Sequence, residues 1–352
     1  MKAAVWYGHK DVRVEERTMP QPKAGQVRVR VAWAGICGTD KHEYLGPLWI
    51  PVEKPHRLTG ETAPLVQGHE YAGIIDAVGE GVTDWKPGDR VTASGSLVCG
   101  ECEFCKTGRK NICERLGFIG VGKDGGFAEY VVIPEHQLFL VPDNVSLKAA
   151  SLTEPISCGV HATKKIGDLT GKSAAIVGPG MIGLSCLIAA KAAGADPVYV
   201  VGVGDGKRSF VETFGGIYVD GKAGDPVQAV IEQNGGQVDV TYEAVGLEAT
   251  LDMAVNLLRC NGTLMIMGVF SNPPKINMNL IQEGEREIKT SQANVDEIQD
   301  VLDMIASGQL DPMPLVTGEA KLDRIVEDGF EAICEKGNEH VKVLVEINDE
   351  LK

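Results

Sequence analysis

The segment Ser173-Ala174-Ala175-Ile176-Val177-Gly178-Pro179-Gly180-Met181-Ile182-Gly183 is the clearest indicator of architecture in the chain. Its first five residues predict a buried strand, and Met181 to Ala193, rich in Ala and Leu, predicts a helix. The glycines between them follow the pattern G-x-G-x-x-G, in which one glycine turns the chain, one lets the backbone approach a pyrophosphate and one lets helix and strand pack. The predicted dinucleotide site consists of Gly178, Pro179, Gly180, Met181, Ile182 and Gly183. A glycine-rich turn without a ligand is the less favoured interpretation.

The sequence on both sides of this segment continues the alternation of helix and strand. Ser157 to Ile166 predicts a helix, and Val198 to Val201 predicts the next strand. Two further strands are predicted at 238–242 and 262–268. Strands that alternate with helices form a parallel, doubly wound α/β sheet.

The end of the second strand bears on the choice between NAD and NADP. NAD-binding sites carry an acidic residue there, about 20 residues after the glycines, which holds the ribose hydroxyls. Gly202 occupies that place, Asp205 follows, and Lys207 and Arg208 come next. The cations could bind the 2′-phosphate of NADP, or Asp205 could return to the ribose of NAD with the cations merely solvated. Both interpretations stay open.

The first part of the chain is rich in β-structure. Residues 27–31 and 130–133 have strand-like patterns, and Gly and Pro turns separate them, which predicts a barrel-like antiparallel domain. A late strand, 341–347, could rejoin it. We therefore predict a catalytic domain at 1–155, a dinucleotide-binding domain at 156–292 and a C-terminal return to the first domain at 293–352.

Composition limits the classes of function. The chain has 352 residues, 43% of them hydrophobic, which is enough for two cores. With 49 acidic and 34 basic residues its net charge is −15, which disfavours binding to nucleic acid. We see no signal peptide and no stretch of about 20 apolar residues, so we expect a soluble, cytoplasmic protein without membrane partners.

Four of the nine cysteines, Cys99, Cys102, Cys105 and Cys113, stand in the pattern C-x2-C-x2-C-x7-C. Four thiolates on one short loop can surround one tetrahedral Zn²⁺ and leave no open position, so this ion would be structural. An iron–sulfur cluster is the main competitor, and accidental or disulfide cysteines are the remaining alternative. Zinc is favoured because no second cysteine group indicates electron transfer.

A second predicted zinc site combines different donors. Cys37, His69 and Glu70 supply sulfur, nitrogen and oxygen, and Glu154 is a further candidate carboxylate. A catalytic zinc keeps an open position for substrate. Whether Glu70 or Glu154 is the direct ligand stays open, because Glu70 could instead support the site from outside.

Thr39 and His42 lie close to Cys37 in the sequence. A hydroxyl and an imidazole could relay the proton of a zinc-bound alcohol out of a dry pocket. Thr39 or Asp40 could equally cap the following helix, and His42 could be an ordinary surface residue. The two functions of Thr39 are compatible, and for His42 the relay is favoured.

These residues together resemble the zinc-containing medium-chain dehydrogenase/reductase family. The resemblance covers nearly the whole chain and rests on segments 35–42, 68–73, 99–113, 125–130, 154–155 and 178–183. It implies a GroES-like catalytic domain, a Rossmann domain for the cofactor, and hydride transfer between a zinc-bound alcohol and NAD or NADP.

Within this family, residues 42–51 and 54–60 resemble the long loop of the (R,R)-2,3-butanediol dehydrogenase subgroup. The resemblance implies interconversion of a secondary alcohol or vicinal diol with its ketone. Sorbitol (polyol) and L-threonine dehydrogenases are the near alternatives, and a non-catalytic dinucleotide-binding protein is the alternative of another class. Family members commonly pair through an exposed edge strand, expected here near Phe270 or Met278, so we expect a homodimer or homotetramer.

Overall fold

The strands follow the runs of β-branched and aromatic residues, with turns at the Gly and Pro clusters. The computed structural model describes residues 1–335 and 340–351. Its strands are β1 (Lys2–Gly8), β2 (Asp11–Glu16), β3 (Gln26–Ile36), β4 (Leu65–Val66), β5 (Glu70–Val78), β6 (Arg90–Ala93), β7 (Ser96–Leu97), β8 (Gly117–Phe118), β9 (Tyr130–Pro134), β10 (Leu138–Leu140), β11 (Ala174–Val177), β12 (Val198–Gly202), β13 (Ile217–Asp220), β14 (Val238–Glu243), β15 (Leu258–Ile266), β16 (Glu287–Thr290), β17 (Val316–Lys321) and β18 (Lys342–Glu346).

The helices are mostly short. They are α1 (Gly38–Leu45), α2 (Glu103–Lys106), α3 (Leu147–Ala150), α4 (Thr153–Ile166), α5 (Met181–Ala192), α6 (Arg208–Thr213), α7 (Pro226–Asn234), α8 (Glu248–Leu257), α9 (Met278–Glu283), α10 (Glu297–Ala306) and α11 (Ala332–Glu335). A π-helical segment, Ile325–Glu331, precedes α11. Over the described residues, no helix has both the length and the apolar character that a bilayer crossing requires.

Two units account for the internal contacts of the chain. One consists of Met1–Glu154 with Ile298–Lys352, and the other is Pro155–Glu297. The sequence placed the divisions after residues 155 and 292, so the second contact boundary lies five residues later than predicted. It falls at Glu297, which is also the first residue of α10. The functional partition into domains stays a prediction.

The first unit is built around β3, the long central strand of a seven-stranded sheet. The strand order is β10-β6-β5-β3-β18-β17, and β9 also pairs with β3. Along β3 buried and partly exposed residues alternate before its last residues become fully buried. Two smaller sheets, β2-β1-β4 and β7-β8, complete the unit. Its core includes Trp6, Tyr71, Phe127 and Phe330.

The second unit is a six-stranded sheet in the order β13-β12-β11-β14-β15-β16, and every neighbouring pair is parallel. The chain order reverses between β11 and β14, which is where doubly wound sheets bind ligands, beyond the carboxyl ends of the strands. The predicted fold class, a doubly wound parallel sheet with a β-rich domain, is confirmed.

The edge of this sheet differs from the expectation. The edge strand is β16, whereas Met278 begins α9, so the strand expected near Phe270 or Met278 was wrong. The side chain of Asn277 accepts a hydrogen bond from the amide of Leu280 and caps α9, which favours a helix there.

Candidate metal and dinucleotide sites

The pairing of β3 with β5 brings Cys37, His69 and Glu70 together, and we call these three residues the mixed cluster. β3 pairs antiparallel with β5, and Gly35 lies opposite Glu70. Cys37 follows the end of β3 as the N-cap of α1, and His69 precedes β5, so the two come together where the strands meet. One ligand atom each of Cys37, His69 and Glu70 lies within 4.8 Å of the others.

Two glycines provide the space for this cluster. A side chain at Gly35 would overlap the carboxylate of Glu70. Gly68 has φ +95°, and a Cβ there would lie 2.8 Å from the ring of Phe127. Both glycines are therefore required by close packing, and Gly68, with its positive φ, turns the chain just before His69 and Glu70.

Glu70 forms a buried ion pair with Lys342 on β18. The ammonium donates to Oε1 at 2.8 Å, to Oε2 at 2.6 Å and to the carbonyl of Ile36 at 3.1 Å. Both side chains are at most 2% exposed. Burial alone would lower the pKa of Lys342, but Glu70 and Cys37 hold it above its usual value. The sequence reasoning missed Lys342; a cation directly before the apolar run Val343, Leu344 and Val345 was the available signal.

Asp40 supports the cluster from α1. It is 0% exposed, and it accepts hydrogen bonds from the amides of Cys37 at 2.9 Å and Gly68 at 3.3 Å. Burial raises the pKa of Asp40 to about 6. Its Oδ1 lies 4.0 Å from Nδ1 of His69, a distance at which it can orient the imidazole electrostatically.

The donor set fits Zn²⁺. His69 is 6% exposed, and its Nδ1 is buried without a hydrogen-bond partner among the described residues. Burial alone would lower the pKa of His69, but Cys37, Asp40 and Glu154 reverse this and hold it well above its usual value. The buried carboxylates of Asp40, Glu70 and Glu154 carry more negative charge than Lys342 balances, which is the setting that a divalent cation stabilises.

The other predicted residues surround this cluster. Glu154, on the first turn of α4, is 7% exposed and acts electrostatically on His69, although its oxygens do not belong to the set within 4.8 Å. Oγ1 of Thr39 lies 3.7 Å from Sγ of Cys37. His42 follows one turn later on α1 and is exposed. Residues three apart share a helix face, so Thr39 and His42 point the same way.

The cysteine lobe holds its four sulfurs at the spacing of one metal ion. Ligand atoms of Cys99, Cys102, Cys105 and Cys113 lie within 4.8 Å of one another, with Sγ–Sγ distances of 3.5 to 3.9 Å. A tetrahedron with Zn–S bonds of about 2.3 Å places its sulfurs about 3.8 Å apart. A disulfide requires about 2.05 Å, so the four cysteines are not paired.

Backbone amides stabilise thiolates in this lobe. Cys102 donates its N–H to Sγ of Cys99 at 3.4 Å, and Cys99 and Arg115 donate to Sγ of Cys113 at 3.3 and 3.4 Å. The amide of Cys102 is the main reason that the pKa of Cys99 is lowered to about 6. These amides favour the anionic form of Cys99, whereas burial and the neighbouring thiols raise the pKa of Cys105 to about 12.

The glycine turn after β11 has the geometry that its sequence predicts. Gly178 has φ +103°, and a side chain there would overlap Val245. A side chain at Gly183 would overlap the carbonyl of Gly178. A Cβ at Gly180 would meet nothing within 4 Å, so open space lies in front of the N-terminus of α5. Pro179, Met181 and Ile182 complete the turn, which fits a pyrophosphate.

The end of β12 has no room for an acidic side chain. A side chain at Gly202 would overlap the phenol of Tyr218, which donates a hydrogen bond to the carbonyl of Gly204. Asp220, at the end of β13, accepts hydrogen bonds from the amides of Gly204 at 2.7 Å and Lys222 at 2.9 Å. These two bonds lower the pKa of Asp220. The sequence reasoning missed Tyr218 and Asp220, because their place beside Gly202 depends on the pairing of β12 with β13.

The charged residues of this turn interact with one another. Arg208 pairs with Asp205 at 2.8 Å, and its guanidinium lies 4.8 Å from the ring centre of Tyr218. Lys207 precedes Arg208 at the start of α6. Asp205 is therefore engaged by Arg208, and three cations, at 207, 208 and 222, lie in the segments next to β12 and β13.

Exposed apolar side chains mark the carboxyl ends of the strands. Val203 follows β12, Val245 and Leu247 follow β14, and Val269 follows β15, and all are 42 to 70% exposed. Apolar groups exposed at the switch point of a doubly wound sheet are typical of a cleft that binds flat aromatic rings.

Two protein-family models match the chain. The alcohol dehydrogenase GroES-like domain matches residues 23–143, and the zinc-binding dehydrogenase domain matches residues 182–307. The (R,R)-butanediol dehydrogenase of Bacillus subtilis strain 168 is 38% identical, covering 99% of this chain and 100% of that protein. The sorbitol dehydrogenase of the same strain is 33% identical, covering 98% and 97%.

Solved structures give the same result. The crystal structure of 2R,3R-butanediol dehydrogenase from Bacillus subtilis has a TM-score of 0.93 and 38% identity, covering 99% of both chains. A zinc-binding dehydrogenase from Sinorhizobium meliloti 1021 bound to NADP has a TM-score of 0.89 and 31% identity, covering 98% of this chain and 99% of that one. An alcohol dehydrogenase from Escherichia coli CFT073 complexed with NADH has a TM-score of 0.89 and 28% identity, covering 99% of both.

Proposed function

The chain belongs to the zinc-containing medium-chain dehydrogenase/reductase family, and we propose that it interconverts (R,R)-2,3-butanediol and acetoin. It is a zinc-dependent alcohol dehydrogenase that uses NAD or NADP. The observation that carries the proposal is the cluster of Cys37, His69 and Glu70, whose ligand atoms lie within 4.8 Å of one another and of which His69 and Glu70 are buried. The butanediol substrate is supported by the 38% identity to the (R,R)-butanediol dehydrogenase of B. subtilis.

We assign Cys37 and His69 as zinc ligands and Glu154 as the third. Glu70 is the less suitable direct ligand, because Lys342 already binds both of its oxygens. Glu154 contributes to the raised pKa of His69 and of Lys342, so its charge acts on the same space. Glu70, held by Lys342, then contributes its charge from outside the ligand set.

The side chains around the metal site would carry away the hydroxyl proton of the alcohol. A zinc ion at this cluster would supply a Lewis acid for the alcohol or ketone oxygen, and the nicotinamide would accept or donate the hydride. Thr39, next to Cys37, is placed to take the hydroxyl proton by hydrogen bonding, and exposed His42 is placed to pass it to solvent. Asp40 keeps His69 oriented while the charge of the site changes.

We propose that NADP is bound at least as well as NAD. An acidic residue at the end of β12 would repel the 2′-phosphate of NADP. This chain has Gly202 there, and Tyr218 leaves no space for a side chain at that position. Arg208 and the neighbouring Lys207 provide cations, and Asp205 is already paired with Arg208. Arg208→Ala is expected to weaken NADPH about tenfold and to leave NADH unchanged, measured by fluorescence titration. Lys191→Ala, which removes a cation elsewhere in the same unit, is the control. Equal losses for both cofactors would contradict this assignment.

We propose a homodimer or homotetramer that uses the edge strand β16. Three of its four residues are exposed, and in the described sheet only β15 pairs with it. An exposed edge presents unpaired N–H and C=O groups to another strand. Light scattering is expected to give two or four times the chain mass of 37.6 kDa. A mass of one chain would contradict the proposal.

The test of function is a matrix of initial rates on zinc-loaded protein. It crosses NAD⁺ and NADP⁺ with (R,R)-, meso- and (S,S)-2,3-butanediol, sorbitol and L-threonine. We expect oxidation of the (R,R) and meso diols and little of the others. Activity on sorbitol or threonine alone would contradict butanediol as the substrate but would agree with the alcohol dehydrogenase reaction. No rate with any alcohol would favour a non-catalytic dinucleotide-binding protein.

A further inference from the structure

Glu243 is a buried acid at the carboxyl end of β14, beside the switch point of the parallel sheet. Its side chain is 0% exposed. Its Oε1 accepts hydrogen bonds from the amides of Val245 at 3.0 Å and Gly246 at 2.8 Å. The same oxygen accepts a third hydrogen bond, from the hydroxyl of Thr250 at 2.7 Å. One oxygen atom therefore binds both the turn after β14 and the first turn of α8.

The other polar atoms of Glu243 lie against the end of β15. Its carbonyl accepts hydrogen bonds from the amides of Met267 at 2.8 Å and Gly268 at 3.0 Å. Its Oε2 is buried without a hydrogen-bond partner among the described residues. A side chain at Gly268 would overlap both this oxygen and the amide of Gly246. Glu243 is thus fixed by the end of β15, and Oε1 is the oxygen that acts on the neighbouring turn.

The turn that Glu243 holds is in contact with the glycine turn after β11. A Cβ on Gly178 would overlap Cγ2 of Val245, so this side chain already fills the space in front of the glycine. The amide of Ala244 donates to the carbonyl of Val177 at 3.1 Å, which ties the two turns together through the backbone as well. A path of direct contacts therefore leads from Glu243 through Val245 to the first glycine of the dinucleotide site.

We propose that Glu243 is a positioning residue for dinucleotide binding, because its Oε1 holds Val245 against Gly178 and so keeps the glycine turn in the shape that receives a pyrophosphate. A buried amide that loses its acceptor is costly, so without Oε1 the turn after β14 is expected to move toward water and release Gly178. NAD and NADP share the pyrophosphate, so both should depend on Glu243 equally, in contrast to the effect expected for Arg208. This inference rests on the proposed use of NAD or NADP.

The test compares Glu243→Met with Glu243→Gln, two side chains of similar size. Methionine has no oxygen to accept the three hydrogen bonds, whereas glutamine keeps one oxygen for them and places its amide nitrogen where Oε2 lies. Glu243→Met is expected to weaken the binding of NADH, NADPH and ADP-ribose about tenfold each. Glu243→Gln is expected to stay within about twofold of the wild type. Fluorescence titration of zinc-loaded protein measures the two reduced cofactors, and competition with NADH measures ADP-ribose.

Asp239→Leu is the matched control, because Asp239 is an acid at the amino end of the same strand. It accepts hydrogen bonds from the amide and the hydroxyl of Ser173 at 2.8 and 3.0 Å. Its removal is expected to lower Tm, as Glu243→Met also should, but to leave the affinities for the three ligands unchanged, because ligands bind at the carboxyl ends of the strands. Loss of affinity in both variants would show that any damage to β14 weakens binding, and it would overturn the proposal.

Wild-type affinity in Glu243→Met, or an equal loss in Glu243→Gln, would also overturn the proposal. So would unchanged binding of ADP-ribose, because this ligand retains the pyrophosphate. If Glu243→Met does not fold, Val245→Ala takes its place, since it removes the contact with Gly178 and should weaken all three ligands; wild-type affinity in that variant overturns the proposal by itself. A wild-type protein that binds none of the ligands would instead refute the proposed use of a dinucleotide, so the two failures are distinguishable.

Discussion

The two candidate metal sites of the first unit are built in opposite ways. The lobe of Cys99, Cys102, Cys105 and Cys113 gathers four identical donors from one short loop, and neighbouring amides stabilise the sulfurs. The mixed cluster gathers a sulfur, an imidazole and a carboxylate from two segments, one after the end of β3 and one at the start of β5, and a buried lysine balances part of its charge. Four thiolates saturate an ion, whereas the mixed set leaves a position for an oxygen of the substrate. Under the proposed function, the ion of the lobe holds the fold and the ion of the mixed cluster takes part in the chemistry.

Removing Cys37 should give the largest difference between the clusters. Cys37→Ala takes one ligand from the mixed cluster and none from the lobe, so zinc should fall from two to one per chain. We expect dehydrogenase activity to fall by at least about a thousandfold, because the Lewis acid is lost. Zinc is measured by elemental analysis on the same sample as the rates. Cys260→Ser, an exposed cysteine outside both clusters, is the control, and equal activity in the two variants would contradict the assignment.

Removing Lys342 tests whether the buried carboxylate of Glu70 needs this cation for the stability of the unit. Lys342→Met leaves the carboxylate of Glu70 buried without its cation, and the free energy of unfolding of the zinc-free protein should fall by about 3–5 kcal/mol. Adding Glu70→Gln removes the unpaired charge and should restore most of this loss. Urea unfolding of the single and double variants measures both effects. A single variant as stable as the wild type would show that the buried pair does not stabilise the unit.

Removing one ligand of the lobe should affect structure more than chemistry. Cys102→Ser is expected to release one zinc, to make the loop around residues 99–113 sensitive to protease, and to lower activity by no more than about tenfold. Limited proteolysis followed by mass spectrometry locates the cleavage. Complete loss of activity with an intact loop would place the reacting ion in the lobe.

Acid should loosen the lobe, and this is the smallest expected effect. The pKa of Cys99 is lowered from 9.0 to about 6. A lowered pKa means that the stabilisation of the thiolate is fully present at high pH and is lost as the pH falls through about 6. Transfer of the lobe's zinc to a coloured chelator should therefore be faster at pH 5.5 than at pH 7.5, followed in Cys37→Ala so that only the lobe contributes. A rate of zinc transfer that does not change with pH would show that protonation of Cys99 does not control release from the lobe.

The same contrast explains what the sequence could reveal. The lobe and the glycine turn are local, so the spacing of residues 99–113 and 178–183 predicted their geometry directly. The mixed cluster depends on the register of β3 and β5, and only the type of its donors indicated that Cys37 and His69 belong together.

The residues that sequence reasoning missed all depend on pairing between strands or between a strand and a loop. Lys342 reaches Glu70 because β18 pairs with β3, and Tyr218 fills the space beside Gly202 because β13 pairs with β12. Neither of these strand pairings is marked by a fixed spacing of residues in the sequence, so the sequence alone could not predict the contacts. The edge strand was misplaced for a similar reason, since the Asn277 cap that starts α9 is a weak signal until the structure shows its partner.

An anomalous difference map from a crystal of the zinc-loaded protein, collected at the zinc absorption edge, tests the central claim most directly. The account predicts two peaks in each chain, one surrounded by the four sulfurs of the lobe and one bound by Cys37 and His69, the second with an open coordination position. A single peak, confined to the lobe, would contradict it.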